Sequence, residues 1–237
     1  MILDLNGLLL KRYKIHYYRG KGTGWVRSSI NKLYNVFTPP KVKGKGHFQY
    51  VVRPDALHFI QACGKHFKVS IWSSCTQENL HVAINACWLE LNLSFFIDVI
   101  SQVRCRQASF SLADLPGGTS GRDNSKSLFL KCLLDFWLYF SEFTESNTLL
   151  VDDTCYKSML NKWECCICSP SFDPEDDDQD PNYLTITLLP WLERWSVSEN
   201  PTQYVATQMM YNPKDTLSTS MIEYHDRLKK PRSRHFC

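Results

Sequence analysis

The chain opens on Ile2-Leu3-Asp4-Leu5-Asn6-Gly7-Leu8-Leu9. An apolar run this short, ended by an acid, is how a buried strand delivers a carboxylate to the carboxyl edge of a parallel sheet. Open α/β folds bind their ligands at that edge. The Asn6-Gly7 pair then turns the chain. Only Met1, Ile2 and Leu3 precede Asp4, fewer than the roughly five or six residues of a usual strand. Either the strand is short or the sequence starts inside a longer protein.

The rest of the chain alternates strands and helices as such a sheet requires. Residues 47–52 alternate like a strand, and Arg53-Pro54-Asp55 opens a helix that Asp55 can cap, with Leu57, Phe59 and Ile60 starting its apolar stripe. Residues 67–72 form a strand that ends in Ser73-Ser74, followed by a helix carrying Leu80, Ile84, Trp88 and Leu91. Residues 95–100 read as a short extended segment, 127–140 as a helix, 147–153 as a buried strand ending in Asp152-Asp153, 164–169 as a further strand and 182–195 as a terminal helix. The expected fold is a Rossmann-like parallel α/β sheet with helices on both faces.

Residues 11–46 hold Pro39-Pro40 and a basic run from Lys41 to Gly46, and read as an irregular or hairpin-forming insert at the mouth of the sheet. The basic run is a solvated loop or a contact for an acidic or phosphorylated partner. Residues 101–125 contain a Pro-Gly-Gly loop, and the acidic stretch 173–181 reads as a solvated loop. One domain is expected over residues 1–195. Residues 196–237 form a basic, flexible tail ending in Lys229-Lys230-Pro231-Arg232-Ser233-Arg234-His235. That cluster is either a nuclear import signal or a solvated end.

Composition narrows the function. With 237 residues, 43% of them hydrophobic, the chain can bury one sizeable core and no second ordinary domain. A net charge of +3 is too mild to argue for nucleic acid, which needs a clustered basic face, so no direct nucleic-acid binding is expected. No apolar run approaches the roughly 20 residues of a membrane span, and the amino terminus does not read as a signal peptide. An intracellular protein is the expectation. Ten cysteines are scattered through apolar segments and read as reduced, buried thiols with no disulfides. Cys165-Cys166-Ile167-Cys168 lacks a second Cys or His pair at matching distance, so core packing outweighs zinc there.

Four segments carry polar groups suited to phosphoryl transfer at strand ends or helix starts: Asp4-x-Asn6, Ser73, Lys131 and Asp152-Asp153. Each alone is weak, since a helix lysine is usually a snorkelling surface residue. Their types and order resemble the four motifs of the haloacid dehalogenase superfamily: nucleophile, hydroxyl, lysine, paired acids. Arg53-Pro54 before a helix, Ile71-Trp72-Ser73-Ser74, the Leu149-to-Thr154 run and Leu188-Leu189-Pro190-Trp191-Leu192 are further similar to the RNA polymerase II carboxy-terminal-domain phosphatases. These are also called NLI-interacting-factor-like domains.

The resemblance implies a protein phosphatase with small insertions and no large cap. Asp4 would attack phosphorus; Mg²⁺ would be held by Asp4, the Asn6 backbone carbonyl, Asp152 and Asp153; Ser73, Ser74, Lys131 and Arg53 would hold the phosphoryl group. A divalent ion is needed because an anionic ester repels a carboxylate nucleophile, and Mg²⁺ takes oxygen ligands. The implied substrate or partner is a phosphorylated protein, such as the polymerase tail, in the nucleus.

Asn6 departs from the pattern, in which that position carries a second Asp that moves protons. An amide cannot do this work, and losing positioned acid–base help typically costs roughly 10²–10⁴-fold. Three readings follow: a Mg²⁺-dependent serine/threonine phosphatase weakened by Asn6, a pseudophosphatase that binds phosphoprotein without turnover, or a scaffold. Retention of Asp4, Lys131, Asp152 and Asp153 argues against the scaffold.

Overall fold

The computed structural model describes residues 1–18, 21–23, 34–40, 47–91, 93–111 and 127–208. The basic run at 41–46, the Pro-Gly-Gly loop and the terminal basic cluster lie outside them.

Strand β1 (Ile2–Leu3) is fully buried and ends at Asp4. After the turn come β2 (Leu10–Lys14), β3 (His16–Tyr18), β4 (Lys21–Thr23), β5 (Val36–Phe37) and β6 (Phe48–Val52). β2, β6 and β5 make a small antiparallel sheet, and β3 and β4 a hairpin, in the place expected for an insert. Helix α1 (Ala56–His66) follows. Asp55 does not cap it: the residue sits in the left-handed region at φ 59° with no side-chain cap bond. Its carboxylate instead accepts from Thr185 Oγ1 at 3.2 Å.

Strand β7 (Ser70–Trp72) leads to α2 (Gln77–Cys87), where Thr76 does cap, its hydroxyl oxygen accepting from the Asn79 N–H at 3.4 Å. Next are β8 (Val99–Ile100), β9 (Arg106–Ser111), β10 (Ser127–Leu130), α3 (Leu133–Tyr139), β11 (Leu150–Asp152) and β12 (Cys166–Cys168). A π-turn at Leu184–Leu188 runs into α4 (Leu189–Ser196), and α5 (Pro201–Thr207) follows.

The main sheet has the order β12-β11-β1-β7-β8, and all its pairs are parallel. Alternation along these strands makes two cores. Leu3, Ile71, Val151 and Ile167 face one side, packed with Phe59 and Ile60 of α1, Leu80 and Ile84 of α2, Leu192 of α4 and Val205 of α5. Ile2, Trp72, Ile100, Leu150 and Cys166 face the other, covered by Leu133 and Phe136 of α3. The expected Rossmann-like α/β sheet with helices on both faces is therefore present. Among the described residues the insertions are small antiparallel units.

Three further expectations change. Residues 127–140 are not one helix: the first four form β10, paired antiparallel with β9, and the helix begins at Leu133. A short apolar run has no period of its own to separate strand from helix, and here pairing with β9 decides. The packed chain also runs past residue 195. Val205 of α5 is fully buried, and Trp191 Nε1–H donates to the Gln208 carbonyl at 2.8 Å. A seven-residue helix with one buried side chain leaves little periodicity to read.

The third concerns cysteine. Cys155 and Cys168 form a disulfide, contrary to the expectation of none, while Cys165 and Cys166 are free and buried. The helical turn after β11 folds back over the end of β12 and brings the two Cα atoms to 5.2 Å, inside the usual disulfide range. No helix among the described residues is long and apolar enough to cross a membrane.

Candidate functional site

Adjacent parallel strands deliver the site. Asp4 follows β1, Ser73 follows β7, and Asp152 ends β11 with Asp153 beside it. These are the central strands of the sheet, so their carboxyl ends converge. Lys131 arrives from the connection between β10 and α3. Asn161 fixes that connection: its Nδ2 donates to the Lys131 carbonyl at 2.8 Å and its Oδ1 accepts from the Leu133 N–H at 2.7 Å.

Residues of three of the four motifs meet in one charged cluster, and Ser73 lines the cleft beside it. Lys131 Nζ, fully buried, donates to Asp4 Oδ1 at 2.8 Å and to Asp152 Oδ2 at 2.5 Å. A second ammonium joins it. Lys157 Nζ lies 2.9 Å from Asp4 Oδ2, 3.2 Å from Asp152 Oδ1 and 3.7 Å from Asp153 Oδ1. Sequence reasoning missed Lys157. The available signal was a lysine one helical turn beyond the paired acids, at i+4 from Asp153.

Electrostatics follow from burial and pairing. Burial disfavours charge on Asp4, but Lys131 and then Lys157 outweigh it and hold the carboxyl well below the usual carboxylate range. Burial also opposes charge on Lys157, but Asp152, Asp4 and Asp153 together hold its pKa well above the ordinary lysine value. Asp153 goes the other way: burial lifts it to about 7, with Lys157 pulling down and Asp152 and Asp4 pushing up.

Above the cluster is a cleft of about 310 Å³. Asp4, Asn6, Arg12, Ser73, Ser74, Tyr156 and Lys157 are among the residues that line it. The Ser73 hydroxyl oxygen accepts from the Cys75 N–H at 3.4 Å. Asn6 Oδ1 accepts from the Arg12 N–H at 2.9 Å, so half of its carboxamide is committed to the turn. Gly7 has φ 94°, and a Cβ there would overlap the Asp153 carboxylate.

Arg53, expected at the phosphoryl group, does not line this cleft. It is buried behind the turn after Asn6. One guanidinium nitrogen donates to the Leu8 carbonyl at 3.3 Å, and the group lies over the rings of Tyr183 at 5.2 Å and Phe172 at 5.5 Å. Its surroundings are those of a brace for the turn.

Asp4, Asp152 and Asp153 each present a carboxylate oxygen, all within 4.8 Å of one another. Three hard oxygen donors at this spacing fit a divalent ion such as Mg²⁺.

A family model described as NLI interacting factor-like phosphatase matches residues 1–201. No curated protein matches the chain. Two solved structures are similar over 96% of this chain and 60% of their own length, at 15% identity. One is the fission yeast RNA polymerase II CTD phosphatase Fcp1, as an arginine variant bound to beryllium fluoride, with TM-score 0.46. The other is Fcp1, described as an essential RNA polymerase II CTD phosphatase, with TM-score 0.47. This chain thus spans about 60% of the length of those proteins. The family match takes in all four motifs read from the sequence, and the chain belongs to the NLI interacting factor-like phosphatases.

Proposed function

We propose that the chain is a protein serine/threonine phosphatase domain working through an aspartyl-phosphate and weakened by Asn6. The observation that carries this reading is Asp4: a carboxylate on the cleft floor, held ionised by two lysines and flanked by two more acids.

An Asp4 oxygen attacks phosphorus and the bond to the substrate's serine or threonine oxygen breaks, leaving the phosphoryl group on Asp4. The leaving oxygen takes a proton. Water then attacks phosphorus, the bond to Asp4 breaks, and phosphate departs. Ser73 and Ser74 line the cleft, and their hydroxyls would hold phosphoryl oxygens. Lys131, beneath Asp4, keeps the nucleophile ionised and oriented. Asp4, Asp152, Asp153 and the Asn6 carbonyl would hold Mg²⁺, which offsets charge on the ester when bound. The Asn6 carboxamide can neither protonate the leaving oxygen nor deprotonate water at neutral pH, so both transfers fall to solvent.

The substrate class on this reading is a phosphorylated protein, the RNA polymerase II tail being one candidate, in the nucleus. The family's protein-phosphatase character and the small insertions beside the cleft support it. A second reading, phosphoprotein binding without turnover, is favoured by Asn6 alone.

Mg²⁺-dependent hydrolysis of a phosphoserine peptide by fresh protein of verified intact mass tests this. Low but measurable turnover is expected, absent in Asp4→Ala and raised by about 10²–10⁴-fold in Asn6→Asp. A silent wild type with an active Asn6→Asp variant selects the binding reading. An Asn6→Asp variant that remains silent removes the phosphatase reading.

A further inference from the structure

Lys157 is a cation outside the four motifs, and its position is specific. Its ammonium nitrogen is within 3.7 Å of a carboxylate oxygen of Asp4, of Asp152 and of Asp153. Those are the same three side chains that would hold a divalent ion. Among the described carboxylates the Lys131 ammonium pairs with Asp4 and Asp152, and it is fully buried. Lys157 lines the cleft, with a side chain 10% exposed. Its backbone belongs to a single helical turn, Cys155–Ser158, and its stem is a flexible four-carbon chain.

We propose that the Lys157 ammonium is a tethered cation occupying the divalent ion's place among Asp4, Asp152 and Asp153, and that a metal enters only by displacing it into the cleft. This rests on the metal-site reading given above. An ammonium is a compact point charge with three donors, and three carboxylates offer it one acceptor each. Because it is attached to the same chain, it competes at a high effective concentration without leaving the protein. A divalent ion approaching the cluster meets carboxylates whose charge two lysines already offset, so its net attraction is reduced. Metal dependence thereby becomes an exchange of one cation for another.

The test is Mn²⁺ binding to the full chain, followed by the electron paramagnetic resonance of the free ion, for wild type, Lys157→Met and Lys157→Arg. The methionine variant removes the charge and keeps the length. It is expected to bind Mn²⁺ at least about tenfold more tightly than wild type, while Lys157→Arg stays weak. In wild type, amine labelling read by mass spectrometry is expected to rise severalfold at Lys157 when Mn²⁺ saturates. Equal affinity in wild type and Lys157→Met overturns the tethered cation and leaves the metal site standing. Absence of Mn²⁺ binding in all three proteins overturns both. Should Lys157→Met fail to fold, labelling decides: reactivity at Lys157 unmoved by bound Mn²⁺ rejects the exchange.

Discussion

Gly7 and the Asp153 carboxylate share one small volume. The turn at Gly7 takes φ 94°, and a methyl group there would overlap that carboxylate. Gly7→Ala is therefore expected to destabilise the fold by about 1–3 kcal/mol, measured by urea unfolding, and to weaken Mn²⁺ binding by moving Asp153. Part of this was legible, since Asn-Gly announces a turn. That the glycine also clears room for an acid from a distant strand was not, because nothing local records what lies opposite. Arg53 shows the same limit. The family resemblance of Arg53-Pro54 implied a phosphate contact. Of its two rings, Phe172 comes from a stretch with no periodicity to place it, and Tyr183 from the start of the terminal helix, whose packing partner the sequence does not record. Lys157 is the converse case: the i+4 spacing was visible, but a lysine on a short turn ordinarily points to water.

At the scale of elements, the turn bearing Lys157 is pinned at both ends. Cys155 at its start is bonded to Cys168 at the end of β12, and the Lys157 carbonyl accepts the Lys131 N–H at 2.7 Å. Closing the 13-residue separation between the cysteines restricts the unfolded chain. Oxidised protein is expected to unfold in urea with about 2–3 kcal/mol more stability than protein treated with dithiothreitol. Matching curves would show that the bond contributes nothing. The strands of the parallel sheet were readable because short, buried apolar runs end abruptly in polar residues. β10 was not, because Ser-Leu-Phe-Leu followed by Lys-Cys-Leu-Leu fits either period. The pairing that decides it comes from β9, across a long connection.

For the whole molecule, one α/β domain beneath a family-type site was legible from the alternation of elements, but its outer limit was not. Trp191 packs against Tyr204 in a tilted arrangement with ring centroids 5.1 Å apart, and Val205 is fully buried. A chain cut after residue 195 is expected to lose at least about 2 kcal/mol and to melt earlier by circular dichroism, since that packing would open to water. An unchanged melting temperature would mean that α5 is dispensable. The order of strands has a consequence in time. Ile2 pairs with Ser70 on one side and with Leu150 on the other. On the ribosome the central strand is made before either neighbour, and its edge toward β11 stays open until most of the described chain has emerged. Asp4 is thus made before both of the strands that flank it. Delay in translation between β7 and β11 leaves that apolar edge exposed, so chaperone demand should track that interval.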